Sequence, residues 1–397
     1  MTQFRDKISH DLSELEKNSR LRTLKTIEER EGAYIWINGV KYLNCSSNDY
    51  LGIAGNIKLK KKFFEWCSDR LDFPETDLSS SSSRLLTGNS SIYDKTERQI
   101  AHLYGKEDCM IFSSGYHMNT GFFAAMFEKG DLIVADKLVH ASIIDGIKLS
   151  RAEHIRYNHF EYEHLRKILS ENRAKYKSIV IVTESVFSMD GDTADIAELV
   201  KIARYFDAQL FVDEAHAVGC IGETGLGVCE KTGMTDQIDF IAGTAGKALG
   251  GVGAFIVCDS AVKQYLVNKC RSFIFTTALP PLNISWLNFI FSKVAGMKSD
   301  RIKLSENAAL LRKSFIDSGP ITAGDSHIVP LITGDDDRTV AISEKLKDSG
   351  IFVPSIRPPT VPEGSSRLRF SLTAKMTESE IRLIFSSLTD ILQTPLK

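Results

Sequence analysis

Three residues near the middle of the 397-residue chain have side chains suited to covalent and proton-transfer chemistry. Asp213 ends an apolar run, His216 follows it three residues later, and Lys247 follows a second apolar run. A lysine amine forms an imine with an aldehyde, and a carboxylate keeps a heterocyclic ring nitrogen protonated. Pyridoxal phosphate is an aldehyde cofactor that needs both groups. The pair Asp213 and Lys247 therefore indicates a pyridoxal phosphate site.

The segment Asp213–His216 also spells Asp-Glu-Ala-His, the acidic box of one class of helicases. A helicase needs the phosphate-binding pattern G-x-x-x-x-G-K-[ST] upstream of that box. The near match around Lys247 lies downstream, with Ile241 in place of the first glycine and Ala248 in place of Ser/Thr. Lys and Arg total 49 against 51 Asp and Glu, a net charge of −2, which provides no field to attract nucleic acid. We therefore reject the helicase interpretation and expect no nucleic-acid partner.

Composition also indicates where the chain works. The longest apolar stretches, such as Ile284–Phe291, are interrupted by polar residues well short of a membrane-spanning length. The first sixteen residues alternate charges with apolar residues at helical spacing, which is untypical of a signal peptide. Seven cysteines include no C-x-x-C pair, so neither a zinc site nor a disulfide framework is indicated. We expect a soluble, cytoplasmic protein with no membrane association and no metal.

Between about residues 95 and 260, short apolar runs alternate with helical patterns. The runs rich in Val, Ile and Phe are Cys109–Ser113, Leu132–Ala135, Ile179–Thr183, Leu210–Val212, Phe240–Ala242 and Ala254–Val257. Continuous apolar runs of this length are typical of strands buried on both faces, and hence of a mainly parallel sheet covered by helices. Open α/β sheets bind ligands at the carboxyl ends of their strands. The polar residues that follow these runs should therefore share one site.

After the Pro280–Pro281 break the pattern changes, which indicates a second α/β region. Helices are predicted at Ala309–Ser318, Thr339–Asp348 and Glu378–Leu392, and strands at His327–Ile332, Ile351–Val353 and Leu368–Ser371. We therefore divide the chain into an N-terminal segment (1–55), a large cofactor-binding domain (56–285) and a small C-terminal domain (286–397).

The ordered motifs of the chain resemble those of a known family, the α-oxoamine synthases, a branch of the fold-type-I pyridoxal phosphate enzymes. The matching stretches are Ser46–Gly52, Ser114–Tyr116 with Asn119, His140–Ser142, Thr183–Gly191, Asp213–His216, Thr244–Lys247 and Thr276–Pro281. The resemblance covers essentially the whole chain. It implies an aspartate aminotransferase-like fold, with a mainly parallel sheet in a large domain and a smaller C-terminal α/β domain.

The resemblance implies a cofactor role for each matching residue. Lys247 would form the imine with the cofactor and later carry the Cα proton of the bound amino acid. Asp213 would pair with the ring nitrogen, His216 would hydrogen-bond the phenolic oxygen, and His140 would stack on the ring. The remaining cofactor contacts would come from Ser114, Gly115, Tyr116, Glu184, Ser188 and Thr244, with Thr276 and Thr277 reaching the phosphate in the neighbouring subunit of a homodimer.

The resemblance also implies a substrate site. Arg369, assisted by Asn48, would grip the amino-acid carboxylate, because a guanidinium binds a carboxylate bidentately where lysine cannot. Thr360 would order the same region, and Arg22 would reach the substrate or its acyl chain. An alternative for Arg22 is an ordinary surface charge.

Within the family, the segment Arg357–Pro362 followed by Arg367-Leu-Arg369 is most like the biotin-pathway branch. That branch condenses L-alanine with a pimeloyl thioester and releases CO2 and the thiol. The acyl carrier, coenzyme A or an acyl carrier protein, stays open. The alternatives are a glycine C-acyltransferase making 2-amino-3-oxobutanoate, a 5-aminolevulinate synthase, which Arg357-Pro-Pro disfavours, and a non-catalytic cofactor-binding module.

Three positions depart from the family pattern. The serine run Ser79–Ser83 replaces a glycine-rich loop, and serine adopts positive φ less readily than glycine. Tyr93 stands where a histidine is common, and Asn158–Phe160 reads Asn-His-Phe in place of His-Asn-Asp. None of these positions touches the imine chemistry, so we expect any effect to fall on acyl-donor fit.

Overall fold

The computed structural model describes residues 2–393, which form two compact units. The larger unit comprises residues 56–188 and 193–301, and the smaller unit comprises residues 2–55, 189–192 and 302–393. The N-terminal segment therefore belongs to the smaller unit. The second border lies at 301/302 instead of 285/286, because the helix after Pro280 packs on a helix of the larger unit.

The regular elements follow in chain order. The α-helices are α1 (Thr2–Lys17), α2 (Ile57–Ser68), α3 (Ser91–Tyr104), α4 (Gly115–Met126), α5 (Ala141–Leu149), α6 (Tyr162–Asn172), α7 (Ile196–Tyr205), α8 (Val228–Lys231), α9 (Ser260–Lys269), α10 (Arg271–Ile274), α11 (Pro281–Val294), α12 (Lys298–Ser318), α13 (Asp336–Asp348) and α14 (Glu378–Gln393). The strands are β1 (Glu29–Glu31), β2 (Tyr34–Ile37), β3 (Val40–Asn44), β4 (Asp108–Phe112), β5 (Leu132–Asp136), β6 (Glu153–Tyr157), β7 (Ile179–Glu184), β8 (Gln209–Asp213), β9 (Phe240–Thr244), β10 (Ala254–Cys258), β11 (Ile328–Gly334), β12 (Ile351–Phe352), β13 (Ser355–Ile356) and β14 (Ser366–Ser371).

The larger unit is built on a seven-stranded sheet in the order β4-β10-β9-β8-β7-β5-β6. All its neighbouring strands are parallel except β10, which is antiparallel to both β4 and β9. The six predicted apolar runs are all strands of this sheet. The sequence reasoning missed β6, because most of its side chains are exposed and it carries no apolar run. The expected mainly parallel sheet is confirmed.

Helix α4 is held against this sheet by aromatic packing. Phe122 is fully buried, and its ring centroid lies 5.1 Å from that of Phe211 and 5.0 Å from that of Phe240. Truncating such a ring to alanine costs about 3–5 kcal/mol. On its other side α4 meets α5 at Gly146, where a Cβ would lie 2.5 Å from the carbonyl oxygen of Asn119. Only glycine allows this approach, and it brings the start of α5 beside α4.

The smaller unit contains two further sheets, in the orders β1-β2-β3-β12 and β11-β14-β13. The predicted C-terminal helices and strands are all present, most of them longer than predicted, whereas β12 is one residue shorter than the predicted Ile351–Val353. The N-terminal strands β1 to β3 were not predicted. Residues 189–192 join this unit through the ion pair between Asp190 and Arg367. Gly191 lies so close to Ile328 that a Cβ would sit 2.1 Å from its carbonyl oxygen. Within residues 2–393, no helix is long and apolar enough to cross a bilayer.

Candidate active site

The predicted cofactor residues of the larger unit collect along one edge of its sheet. Because β10 is antiparallel to both of its neighbours, β4 runs in the same direction as β9 and as the parallel strands. The carboxyl ends of β4, β5, β7, β8 and β9 therefore share one edge. The residues at or just after these ends are Ser114, His140, Glu184, Asp213 and Thr244. The sequence prediction of a shared edge is confirmed.

Lys247 and His216 meet at this edge. Lys247 lies in the turn after β9 and His216 in the turn after β8, and the lysine Nζ is 2.7 Å from the histidine Nε2. His216 is buried and Lys247 is half-buried. An amine and an imidazole at this distance share a proton, so the pair can hold or transfer one at the sheet edge.

Asp213 is fixed by a chain of hydrogen bonds that sequence reasoning did not assign. Its Oδ1 accepts from the amide of Ala215 at 2.9 Å, and its Oδ2 accepts from Asn119 Nδ2 at 3.1 Å. Asn119 also donates to Ser142 Oγ at 3.0 Å, and Ser142 Oγ lies 2.7 Å from His140 Nδ1. One chain thus connects Asp213 to His140 and fixes both side chains. Asn119 and Ser142 stand in the quoted motifs, which was the available signal for them.

Two titratable groups beside Asp213 are driven toward their neutral forms. Burial raises the pKa of Glu184 well above its ordinary value, and the Asp213 charge raises it further, while Lys247 and the His140 amide oppose this. Glu184 Oε1 is buried and finds no hydrogen-bond partner within residues 2–393. Desolvation lowers the pKa of His140 below its ordinary value. The positive charge of Lys247 lowers this pKa further, and the negative charge of Asp213 opposes the shift only in part.

The start of α4 offers a place for an anion. Ser114 caps the helix by accepting from the His117 amide at 3.1 Å, while first-turn amides such as those of Gly115 and Tyr116 have no intrahelical acceptor. Such amides and the helix dipole favour a phosphate. A Cβ on Gly115 would meet nothing within 4 Å, so the space beside it is open.

Thr244 lies at the end of β9 on the same edge. Its hydroxyl donates to the Gly253 carbonyl at 3.0 Å and accepts from the Gly246 amide at 3.2 Å. These contacts fix the turn that leads to Lys247. Ser188 lies half-buried beyond the end of β7.

Thr276 and Thr277 follow α10, where Thr277 is exposed and Thr276 half-exposed. The next residues are held by the serine run, since Ser80 Oγ donates to the Leu279 carbonyl at 2.7 Å and the Ala278 amide donates to the Ser82 carbonyl at 2.9 Å.

Two residues that depart from the family pattern, Tyr93 and Ser81, lie in the same region as residues 276–279. Tyr93 donates its hydroxyl to the Leu279 carbonyl at 3.0 Å. Ser81 adopts φ +51°, in the left-handed region, which costs about 1–2 kcal/mol for a residue with a Cβ. The serine run therefore keeps a glycine-like backbone at that cost.

In the smaller unit, Arg369 on β14 forms a second candidate site and is largely buried. Its guanidinium donates to Asn48 Oδ1 at 3.2 and 3.3 Å, to Tyr50 Oη at 3.2 Å and to Ser371 Oγ at 2.6 Å. Tyr50 in turn donates to Asn48 Oδ1 at 2.9 Å, and its ring meets that of His327 at 4.2 Å between centroids. Arg369 and Asn48 therefore lie together, and their role in substrate binding stays a prediction. Tyr50 and Ser371 were missed as partners.

Arg22 and Thr360 also meet in the smaller unit, where Arg22 Nη2 donates to Thr360 Oγ1 at 2.9 Å. Both residues are exposed. Sequence reasoning assigned both to substrate binding without predicting that they contact each other.

The functional groups collected in the larger unit fit one kind of cofactor. The unit offers an amine, a carboxylate held by Asn119, a histidine whose pKa is lowered by burial, and a helix start that can bind an anion. Together these groups suit a phosphorylated aldehyde with a ring nitrogen. Residues 40–388 match the family model described as aminotransferase class I and II. The chain belongs to this family and is a pyridoxal phosphate-dependent enzyme of fold type I.

Its relatives narrow the class to the α-oxoamine synthases. The chain is 43% identical over 384 residues to the 8-amino-7-oxononanoate synthase of Chlorobaculum parvum, covering 97% of this chain and 98% of the relative. A serine palmitoyltransferase from S. paucimobilis, solved with bound pyridoxal phosphate, is 27% identical with a TM-score of 0.89 and 98% coverage of both chains. An 8-amino-7-oxononanoate synthase from Francisella tularensis is 28% identical with a TM-score of 0.74, covering 89% of this chain and 98% of that one.

Proposed function

We propose that the chain condenses L-alanine with a pimeloyl thioester to give 8-amino-7-oxononanoate, CO2 and free thiol in biotin biosynthesis. The observation that carries this proposal is the pairing of Lys247 with His216 beside the Asp213–Asn119–Ser142–His140 chain. The names of the relatives and the Arg369 cluster support the choice of an amino acid and an acyl thioester as substrates. Cytoplasmic location remains a prediction from the sequence.

Bound pyridoxal phosphate supplies an electron sink for negative charge at the amino-acid Cα. In our proposal Lys247 is the residue that binds the cofactor aldehyde and then moves the Cα proton. Asp213 would pair with the ring nitrogen, and Asn119 would keep the carboxylate in the orientation for that pairing. Removing the negative charge of a buried pair costs about 3–5 kcal/mol, so Asp213 contributes strongly to holding the protonated ring.

The other groups orient and anchor the cofactor. Burial lowers the pKa of His140 and so favours its neutral form, which would stack on the ring without repelling a protonated nitrogen. His216 lies beside Lys247, where it can donate to the phenolic oxygen, and the α4 start with Ser114, Gly115, Tyr116 and Thr244 would hold the phosphate. Glu184 and Ser188 are assigned to the walls of the same site.

Arg369 is assigned to the amino-acid carboxylate, together with Asn48. The guanidinium donates to the oxygens of Asn48, Tyr50 and Ser371, and these contacts fix its orientation on β14. A guanidinium fixed in this way can bind a carboxylate bidentately. Thr360 and Arg22 are assigned to the substrate region near the acyl chain. The contact between them would couple that region to the loop that carries Thr360.

The experiment that tests the substrates is thiol release with alanine, glycine and serine, each against pimeloyl, acetyl and succinyl thioesters. We expect turnover to be highest with L-alanine and a pimeloyl donor. Lys247→Ala should fold, shown by an unchanged circular dichroism spectrum, but release no thiol. Preference for glycine with an acetyl donor would favour the alternative, a glycine C-acetyltransferase, and a lack of turnover with every pair would leave only a cofactor-binding module.

The assignment of Lys247 has its own test. Borohydride reduction of the holoenzyme followed by peptide mapping should place the cofactor on Lys247. Labelling of Lys106 or Lys263, the other partly enclosed lysines of the larger unit, would refute the assignment.

We also propose a homodimer whose two chains share each site through Thr276 and Thr277. The larger unit exposes several apolar side chains between residues 71 and 86, which include the serine run, and at Phe275 beside the threonine pair, as expected for a surface that another chain covers. They are Leu71, Phe73, Leu78, Leu85, Leu86 and Phe275, with exposures of 74, 57, 80, 47, 78 and 72%. The run that carries Ser80 and Ser82 ties several of them to the threonine segment.

Complementation tests the shared site. A Lys247→Ala chain mixed with a Thr276→Ala/Thr277→Ala chain should regain activity, because one site of the mixed dimer combines the intact lysine with intact threonines from the partner. Native mass spectrometry confirms subunit exchange. Mixed dimers without activity, or a fully active monomer by light scattering, would contradict the proposal.

A further inference from the structure

The segment 158–160, which reads Asn-His-Phe and departs from the family pattern, has no role in the proposed function above. It lies between β6 and α6 of the larger unit, where His159 is half-buried. The ring nitrogen Nδ1 of His159 is 2.9 Å from Oδ1 of Asp136, the fully buried last residue of β5. An ionised carboxylate only accepts, so Nδ1 carries the proton of this hydrogen bond. The sequence suggested an effect on acyl-donor fit, whereas this contact lies at the strand that leads to His140.

Asp136 holds the turn between β5 and His140, which is formed by residues 137–139. Its Oδ1 also accepts from the Leu138 amide at 2.8 Å, in the middle of that turn. The turn ends at His140, which caps α5 and whose Nδ1 lies 2.7 Å from Ser142 Oγ. His140 is therefore fixed from α5 by Ser142 and from β5 through the turn that Asp136 holds.

The imidazole of His159 is itself held by a strained neighbour. Phe160 adopts φ +57°, in the left-handed region, which is unfavourable for so large a side chain. In this conformation its amide donates to Asp136 Oδ2 at 3.4 Å, and its ring stacks on His159 with 3.9 Å between centroids and 25° between planes. The buried Phe187 meets the same imidazole edge-on at 4.5 Å. Strain of this kind persists only where the surrounding contacts enforce it, so the fold keeps the imidazole against Asp136.

The donors to Asp136 matter because its carboxylate is out of contact with solvent. A buried carboxylate is stable in the fold only when hydrogen-bond donors satisfy its oxygens. Donors to Asp136 include the His159 ring and the amides of Leu138 and Phe160. Without the ring donor the carboxylate would rotate toward other donors, which weakens its hydrogen bond to Leu138. The His159 ring thus controls how firmly the turn before His140 is held.

We propose that His159 and Asp136 are positioning residues that hold His140 against the face of the cofactor ring, an inference that rests on the proposed function. They act through residues 137–139 and not through contact with the cofactor. Stacked rings interact at defined separations and offsets, so a small displacement of His140 weakens its contact with the cofactor. The part of His159 that matters is the Nδ1 donor, and the strained Phe160 keeps that donor aimed at Asp136.

Two substitutions isolate the Nδ1 donor. In His159→Asn the side-chain amide nitrogen lies where Nδ1 lies and donates to Asp136, whereas in His159→Gln the amide is one bond too far out. The measurements on the holoenzyme are the visible circular dichroism of bound pyridoxal phosphate, which reports the orientation of its ring, and the rate of cofactor release on dilution. His159→Gln should alter the dichroism and speed release about fivefold, as for one lost hydrogen bond, while His159→Asn should resemble the wild type. His154→Gln, at an exposed histidine of β6, is the matched control and should also resemble the wild type.

A double-mutant cycle shows whether His159 acts through His140. His140→Ala should alter the dichroism and speed release, and adding His159→Gln should have no further effect. Additive effects would overturn the inference, because His159 would then act on the fold as a whole, and so would equal behaviour of the Asn and Gln variants. If His159→Gln does not fold, Phe160→Gly takes its place, because glycine keeps the positive φ without strain and removes only the stacked ring.

The same cycle separates failure of the inference from failure of the proposed function. If His140→Ala alters the dichroism and His159→Gln does not, the positioning role is refuted and the stacking role of His140 stands. If His140→Ala resembles the wild type, the stacking role assigned under the proposed function is wrong, and the inference falls with it.

Discussion

In the cofactor-free protein, replacing the buried Glu184 by glutamine should remove a loss of stability that grows as the pH rises. Glu184 is 3% exposed, and burial together with the Asp213 charge raises its pKa well above the ordinary value of 4.5. Above pH 4.5 the unfolded chain loses the proton of this carboxyl while the folded chain keeps it. The folded form therefore binds more protons, and stability falls as pH rises.

The size of this loss follows from linkage. The free energy of unfolding falls by about 1.4 kcal/mol for each pH unit between the unfolded and folded pKa of the group. Glutamine is nearly the same size as the protonated acid and does not titrate. The Glu184→Gln variant should therefore gain about 1.4 kcal/mol on the wild type per pH unit, starting just above pH 4.5.

Urea unfolding of the cofactor-free protein at fixed concentration, repeated from pH 4.5 to 8, measures this difference. Glu171→Gln is the control, because Glu171 lies on the exposed surface of α6 and its carboxyl is hydrated in both states. Parallel stability curves for wild type and Glu184→Gln would show that Glu184 ionises normally in the fold. The argument that burial beside Asp213 raises the pKa of Glu184 would then be wrong.

Three further substitutions follow from the same contacts. Arg369→Lys should raise the Kd for alanine about tenfold, about 1.4 kcal/mol, with a smaller change for the pimeloyl donor, and equal losses by kinetic titration would place Arg369 elsewhere. Tyr50→Phe should weaken binding of L-alanine but not of L-alaninamide, because the lost hydroxyl orients Arg369. The control Tyr34→Phe should affect binding of neither ligand. Weaker binding of both ligands to Tyr50→Phe in a cofactor-absorbance titration would contradict an orienting role. Glu97→Gln should cost about 3–5 kcal/mol in urea unfolding, since it leaves Arg84 and Lys263 without their shared buried carboxylate, and a cost below 1 kcal/mol would contradict this.

The sequence predicted the large sheet well because its inner strands are buried on both faces. Every residue of β7 is buried, and the strand begins with the apolar run Ile179–Val182, which is visible without structural information. The edge strand β6 carries only partial burial, so it leaves no comparable signal. Helix α12 begins eleven residues before the predicted Ala309, where its weakly amphipathic sequence gives no clear period.

The residues of the candidate site also include some that the sequence predicted and some that it did not. Asp213 and Lys247 were predictable because their chemistry is unusual and each follows an apolar run. The residues that orient them were not, because Asn119 reaches Asp213 across 94 positions and Tyr50 reaches Arg369 across 319. Nothing local to Asn119 or Tyr50 indicates such partners. The left-handed Ser81 was likewise invisible, since a serine run gives no sign of which residue adopts positive φ.

Carbon-labelled alanine gives the most direct test of the proposed reaction. The holoenzyme is supplied with a pimeloyl thioester and either L-[1-13C]alanine or L-[2-13C]alanine. Mass spectrometry then measures the 13C content of the released CO2 and of the condensed product. The account predicts labelled CO2 and unlabelled 8-amino-7-oxononanoate from the first substrate, and labelled product with unlabelled CO2 from the second. Retention of the carboxyl label in the condensed product, or thiol release without any condensed product, would contradict it.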